Sequence, residues 1–227
     1  RYGKGESISI QPYKDGIGQR TSKLSQPLDF MSVTDHAELL GEVNICESPE
    51  LDGYSNLVCL GYRYFPKLAY FYMNGMASLA KPMSLCGDDR KNCKEATKTP
   101  WQEIIKSAER HNAPCKFTTF IGYEWTGAKY SGNNLHRNII FKNSFVPELP
   151  VSFYDATSRE ELWNKLDSEC PEDCDYVVIP HNSNLSNGLM FEDPNAKDYQ
   201  RIADREPLIE IFQHKGASEC LDEDDPY

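Results

Sequence analysis

Apolar positions along this chain gather into five short runs separated by long polar stretches. The runs are Leu28–Val33, Phe117–Tyr123, Leu135–Phe141, Tyr176–Ile179 and Leu208–Phe212. Each is rich in β-branched or aromatic residues and bounded by polar turns, the pattern of a buried strand. The polar segment 1–27 adds one short expected strand at Ile8–Ile10. Between the runs the period changes to a helical one. Pro66–Leu79 carries apolar residues at helical spacing. Trp101–Arg110 begins with Thr99 as a cap, Pro100 in the first turn and Gln102 completing a capping box. Ser158–Leu166 opens in the same way, on Ser158 and Glu161. Strands separated by helices of this length predict an α/β domain with largely parallel pairing. No repeat or low-complexity tract divides residues 1–227, which read as a single domain, and 81–98 is expected to be an exposed surface insertion.

Charge narrows the partners. A formal charge of −11 repels a phosphate backbone, so nucleic acid is not an expected partner. A small anionic substrate gripped by metal ions suits an acidic chain better, because the ions supply the missing positive charge. No run approaches the roughly 20 apolar residues of a membrane-spanning helix, so no span is expected. The chain opens at Arg1 without an initiator Met and ends on Asp222–Asp225, Pro226 and Tyr227. A targeting peptide is therefore expected to lie outside it.

The eight cysteines bear on the compartment. Cys86 and Cys93 bracket CGDDRKNC, and Cys170 and Cys174 bracket CPEDC. Zinc knuckles and ribbons use two-residue gaps in matched pairs, so small polar loops closed by disulfides explain this spacing better. The pairings of Cys46, Cys59, Cys115 and Cys220 stay open, and several of the eight could be plain buried thiols. Disulfides predict a periplasmic or secreted protein.

The candidate chemistry sits at the ends of the apolar runs. Leu28–Val33 leads into Asp35 and His36, Phe117–Tyr123 into Glu124, Tyr176–Ile179 into His181, and Leu208–Phe212 into His214. In parallel α/β barrels that rim is where active sites are built. His136 precedes its run, and a Gly-rich loop separates it from Glu124. That arrangement predicts an antiparallel return that brings both side chains to one end. Histidines with carboxylates suit zinc, manganese or iron. Any one of these histidines could be a structural hydrogen-bonder, but four of five at run ends is less readily an accident. His111 ends an amphipathic segment and reads as a helix C-terminal residue. Glu124, inside an apolar run, needs a partner, and a bridging metal provides one. Asp35 and Glu38 read equally well as residues of a helix N-terminus. Trp125 and Tyr130 could wall a pocket, or bind carbohydrate if they lay on a flat exposed face. The Gly-rich segment 127–132 matches no phosphate loop, and Ser183 and Ser186 show no readable triad with His181.

The ordered strings VTDHAE, GYEWTG, NLHRNIIF, PHNSN and EIFQHKGASE carry a resemblance across nearly the whole chain from about residue 28. FMSVTDHAE resembles the second motif of the polymerase-and-histidinol-phosphatase (PHP) superfamily, and the full set resembles a PHP-like family of exported bacterial proteins. The resemblance implies a distorted (β/α)7 barrel holding two or three divalent ions. His36, His136 and His181 would be ligands, Glu124 a bridging carboxylate, and Asp35 an orienting or direct ligand. His214 belongs to the narrower pattern, with Glu210 supporting it. The superfamily's opening His-x-His and closing Asp-x-His motifs do not occur here, which predicts that the chain is part of a longer protein whose barrel is incomplete in this segment. The implied activity is metal-dependent hydrolysis of a phosphoester, with Glu124, His36 and His181 as the catalytic set. Arg137, Asn133 and Lys215 are candidates to contact an anionic substrate by their nearness to the ligands. The competing readings are amide or other ester hydrolysis at the same site, and a PHP-fold scaffold or binding module that has lost its chemistry.

Overall fold

The computed structural model describes residues 1–129, 132–191 and 199–218. Tyr130, Cys220 and the terminal residues 222–227, on which expectations above rest, lie outside the described residues. The strands are β1 (Ile8–Lys14), β2 (Ile17–Ser22), β3 (Phe30–Ser32), β4 (Thr118–Phe120), β5 (Gly122–Trp125), β6 (Ala128–Lys129), β7 (Asn133–Asn134), β8 (Arg137–Phe141), β9 (Tyr176–Pro180), β10 (Phe212–Gln213) and β11 (Gly216–Ala217). The α-helices are α1 (Leu40–Glu47), α2 (Leu57–Tyr64), α3 (Pro66–Ser78), α4 (Lys91–His111), α5 (Arg159–Glu169) and α6 (Tyr199–Arg205).

The chain does not form the expected barrel. Its described strands lie in five sheets of two or three strands, and none closes on itself. A barrel requires every strand to be paired on both sides. Here β3 pairs in parallel with β4 alone, while β5, β8 and β9 form a separate antiparallel sheet. The cause lies in the run Phe117–Tyr123, which reads as one strand but breaks at Ile121 into β4 and β5 with different partners. A Cβ at Gly122 would lie 2.7 Å from Ser32 Oγ and 2.8 Å from Ile139 O, so only glycine allows this close approach. Two of the five runs are also not buried. Phe30 and Val33 are 66% and 56% exposed, and Leu208 and Phe212 are 56% and 75% exposed. The last run contributes only Phe212 to a strand. Pairing among the described strands is therefore mostly antiparallel.

Two hydrophobic cores result. The first lies against β5, β8 and β9. Alternation sends Tyr123 and Trp125, Ile139 and Phe141, and Tyr176 and Val178 to one face, where they pack with Trp101 of α4 and Leu162, Trp163 and Leu166 of α5. α5 starts as expected: Ser158 Oγ accepts from Glu161 N–H at 3.2 Å, while the Glu161 carboxylate accepts from Thr157 N–H at 2.7 Å.

The second core joins α1, α2, α3 and the start of α4, and it is bridged by disulfides Cys46–Cys59 and Cys86–Cys93. Segment 81–98 is part of this core rather than an exposed insertion, with Met83, Leu85, Cys86, Cys93 and Ala96 all buried. α4 also starts well before Thr99, so Pro100 lies inside it. A proline there frees the carbonyl four residues earlier. That carbonyl, of Ala96, accepts from Asn44 Nδ2 at 2.8 Å, so a side chain of α1 replaces the missing helical bond. The two helices touch closely at Gly41, where a Cβ would lie 2.1 Å from Cys93 O.

Cys170–Cys174 is a third disulfide, and Cys115 is free and exposed. Three such pairs mark an oxidising, extracellular environment. No helix among the described residues is long and apolar enough to cross a membrane.

Candidate functional site

Strand alternation places Glu124 on the face of β5 opposite Tyr123 and Trp125. Its side chain is 8% exposed, and three imidazoles from three separate segments converge on its Oε1. His136 Nδ1 lies 2.8 Å away, His36 Nδ1 3.6 Å and His181 Nε2 3.8 Å. Backbone pairing sets this geometry. β5 and β8 run antiparallel, which returns His136 to the end of β5 that bears Glu124. His36 forms an isolated parallel bridge with Glu124, and Glu124 N–H donates to Asp35 O at 2.9 Å. His181 N–H donates to His136 O at 2.9 Å, locking the end of β9 beside the start of β8. Burial raises the Glu124 pKa, but the hydrogen bond with His136 and the charges of His36, His136 and His181 outweigh it, holding the carboxyl below its usual range.

A surrounding set of polar residues fixes these side chains. His36 Nδ1 is 2.6 Å from Thr126 Oγ1. Buried Glu38 holds the Thr126 backbone in turn, its Oε1 accepting from the N–H groups of Thr126 and Phe153 at 2.9 Å each. His181 Nδ1 is 2.7 Å from Glu210 Oε2, although the pair is not aligned as a hydrogen bond. Such a carboxylate beside one ring nitrogen turns the other toward the site. Glu210 thus accompanies His181, not His214 as the strand-based reading expects. Fully buried Asn182 donates its N–H to Glu210 Oε2 at 3.1 Å, places Nδ2 3.4 Å from His136 Nδ1, and accepts through Oδ1 from Gln213 Nε2.

Not every sequence candidate joins the cluster. Asp35 is exposed and contributes its backbone carbonyl. His214 and Lys215 are exposed on the turn between β10 and β11, and His214 makes no ion pair or hydrogen bond with the cluster among the described residues. Arg137 is buried, its donors taken by Glu206 Oε1 at 2.6 Å, Leu135 O at 2.8 Å and Met190 O at 3.3 Å. With its side chain only 3% exposed, it does not face a substrate. Trp125 is fully buried in the first core and donates Nε1–H to Ala156 O at 3.0 Å, so it presents no flat exposed face. Asn133 lies in the β6–β7 hairpin. Sequence reasoning misses the roles of Thr126, Glu38, Asn182 and Gln213, because amides, hydroxyls and helix-start acids have too many other uses. Only their places inside VTDHAE, GYEWTG, PHNSN and EIFQHKGASE point to them.

The donor set, imidazole nitrogens with one carboxylate, is of the type a borderline metal ion takes. It does not fit a single ion as it stands. Two ligands of one ion are at most about 4.2 Å apart, twice a bond of about 2.1 Å. No three of these His and Glu ligand atoms lie within 4.8 Å of one another. Each imidazole is near enough to Glu124 Oε1 to share an ion with it. The tighter grouping of Glu42, Cys86 and Cys93 has no such capacity, since both sulfurs are spent in a disulfide.

Among curated proteins and among solved structures nothing matches this chain. A family model does, described as a protein of unknown function, DUF3604, and it matches residues 1–226. The chain therefore belongs to the DUF3604 family.

Proposed function

We propose that the Glu124 cluster is a metal centre of two or three divalent ions, zinc, manganese or iron, in an exported hydrolase acting on a small anionic ester, a phosphoester first. One observation carries the reading: three imidazoles from separate segments turn toward one oxygen of a buried carboxylate. Burying a carboxylate among imidazoles alone is costly, and ions held between them would offset that cost. The resemblance of VTDHAE and PHNSN to PHP motifs supports the same ligands, and three disulfides support export. The ions supply Lewis acidity, activating water and neutralising charge on the ester. The chain's own residues hold and orient. Glu124 would bridge, His136 and His181 would bind from the buried side, and His36, with a side chain 57% exposed, would bind where substrate enters. With Arg137 engaged by Glu206, the ions and not an arginine would grip the anion.

Elemental analysis after loading with zinc or manganese tests the centre. Two or three ions per chain are expected, with at least one lost in Glu124→Ala. A panel of phosphoesters, carboxylic esters and amides then identifies the bond. No bound metal in the wild-type protein sinks the reading and leaves a binding module. Bound metal with no hydrolysis across the panel sinks the hydrolase part alone.

A further inference from the structure

We propose that helix α3, with the end of α2 that leads into it, docks a second copy of this chain, forming a two-fold dimer whose axis passes near Tyr72.

Helix α3 has the sequence PKLAYFYMNGMAS. At 3.6 residues per turn its polar positions Lys67, Asn74 and Ser78 fall on one narrow side, and the rest of its circumference is apolar or aromatic. A helix apolar almost all round belongs in an interior. Here only the stripe Ala69, Met73 and Ala77 is buried, and Ala69 and Met73 belong to the disulfide-bridged core. A second stripe, Phe65, Leu68, Tyr72, Gly75 and Leu79, advances in alternate steps of three and four residues and faces outward. Phe65, Leu68 and the neighbouring Phe71 stay 67–72% exposed. α2 repeats the spacing with exposed Leu57, Leu60 and Tyr64, and Phe65 alone separates the two helices.

The area suits a dimer. A large side chain presents about 200 Å² when fully exposed, so the exposed parts of these large residues amount to about 1,000 Å². The largest apolar patch of a typical soluble monomer is about 300–600 Å². A stable interface takes about 800 Å² from each partner.

The chemistry of the face selects the partner. Helices that lie on lipid flank their apolar side with Lys and Arg. Lys67 is the one basic residue of α3, while Arg63 of α2 donates to the carbonyls of Cys46 and Tyr54 and stacks 3.9 Å over the Tyr54 ring. A chain of charge −11 is also repelled by an anionic membrane. A stripe without charge offers a charged partner nothing to pair with. It does match itself. Steps of three and four residues let two helices pack at about 20°. Laid antiparallel, the stripe brings Phe65 toward the partner's Leu79 and Tyr72 toward its own counterpart. A Cβ at Gly75 would meet nothing within 4 Å, so the stripe has a hollow there for the partner's Leu68. Such two-fold pairing is the commonest form of homo-oligomer.

Sedimentation equilibrium of the natural full-length protein tests the pairing. The wild type should be a dimer at micromolar concentration. Leu68→Glu puts an unpaired carboxylate into each half of the interface and should raise the dissociation constant about 100-fold or more. Gly75→Phe fills the hollow without adding charge and should raise it about 10-fold. Both positions are open in the single chain, so both variants should fold, which circular dichroism checks. Phe145→Glu, at an exposed apolar residue in the loop after β8, should leave the dimer intact. A dimer that survives both α3 substitutions uses another face and overturns the proposal. So does a monomeric wild type. If that monomer floats with phosphatidylcholine vesicles the face belongs to lipid, and if it does not, another segment of the protein covers it.

Discussion

Two buried glutamates divide this molecule. Glu42, in the disulfide-bridged helical core, is fully buried against Arg90, whose Nη2 lies 3.0 Å from Oε1 and whose guanidinium stacks 3.7 Å above the Tyr154 ring. Glu124, on the sheet, is buried among three imidazoles. Both satisfy the rule that a buried carboxylate needs a partner. The partners differ in one respect: a guanidinium never gives up its proton, whereas imidazoles stay neutral or charge as their surroundings require. The Glu42 arrangement is a fixed charge pair that closes a core. The Glu124 arrangement surrounds its carboxylate with groups that can each gain or lose a proton. Burial alone therefore does not mark a site. A buried acid whose every partner is also a metal-binding base is the better candidate.

The sharpest way to break this contrast is to remove a partner from each. Arg90→Met should destabilise the protein by about 3–5 kcal/mol, because it strands the Glu42 carboxylate in a dry core. Glu124→Gln should cost less, about 1 kcal/mol, since an amide oxygen of the same size still accepts from His136. Denaturant unfolding of both variants checks the pair. Equal losses would mean that the Glu124 cluster is a structural ion pair after all. Next in size, the double substitution Cys46→Ala, Cys59→Ala should lower stability by about 2–4 kcal/mol while leaving bound metal unchanged. A loss of metal would show that the two halves depend on each other. Smaller again, Asn44→Ala leaves the Ala96 carbonyl without its donor and should cost about 1–2 kcal/mol by the same unfolding assay.

The two regions are also unequally legible in the sequence. The cluster is readable because its residues follow or precede apolar runs, and short-range pairing carries them together: His36 beside Glu124, His136 across the antiparallel return, His181 after β9. Such placements need only local strand geometry. The expectation of a barrel fails for a related reason. An apolar run shows that a strand is expected, but not which neighbour it pairs with, and the break at Ile121 turns one expected strand into members of two sheets. The helical core is nearly invisible. Pro100 looks like a helix start until Asn44 is known to satisfy Ala96 O, and that contact crosses 52 residues. Likewise the polar loop around Cys86 and Cys93 reads as surface until Glu42 and Arg90 are seen to neutralise one another inside it.

The smallest effect is the most specific, because the two glutamates should respond to pH in opposite directions. Burial, opposed by the charge and hydrogen bond of Arg90, raises the Glu42 pKa above its unfolded value of about 4.3. Folding then binds a proton more tightly there, so the contribution of Glu42 is largest at low pH and is lost as pH rises through the raised value. At Glu124 burial is outweighed by the imidazoles and the pKa falls. Its contribution is present above about 4.3 and is lost as pH falls through the lowered value. Unfolding free energies measured in metal-free buffer from about pH 2.5 to pH 7 should therefore separate the two. Relative to Glu42→Gln, the wild type should lose ground as pH rises. Relative to Glu124→Gln, it should gain. If both differences slope the same way, the imidazoles do not hold Glu124 ionised, and the cluster lacks the negative charge that a cation would need.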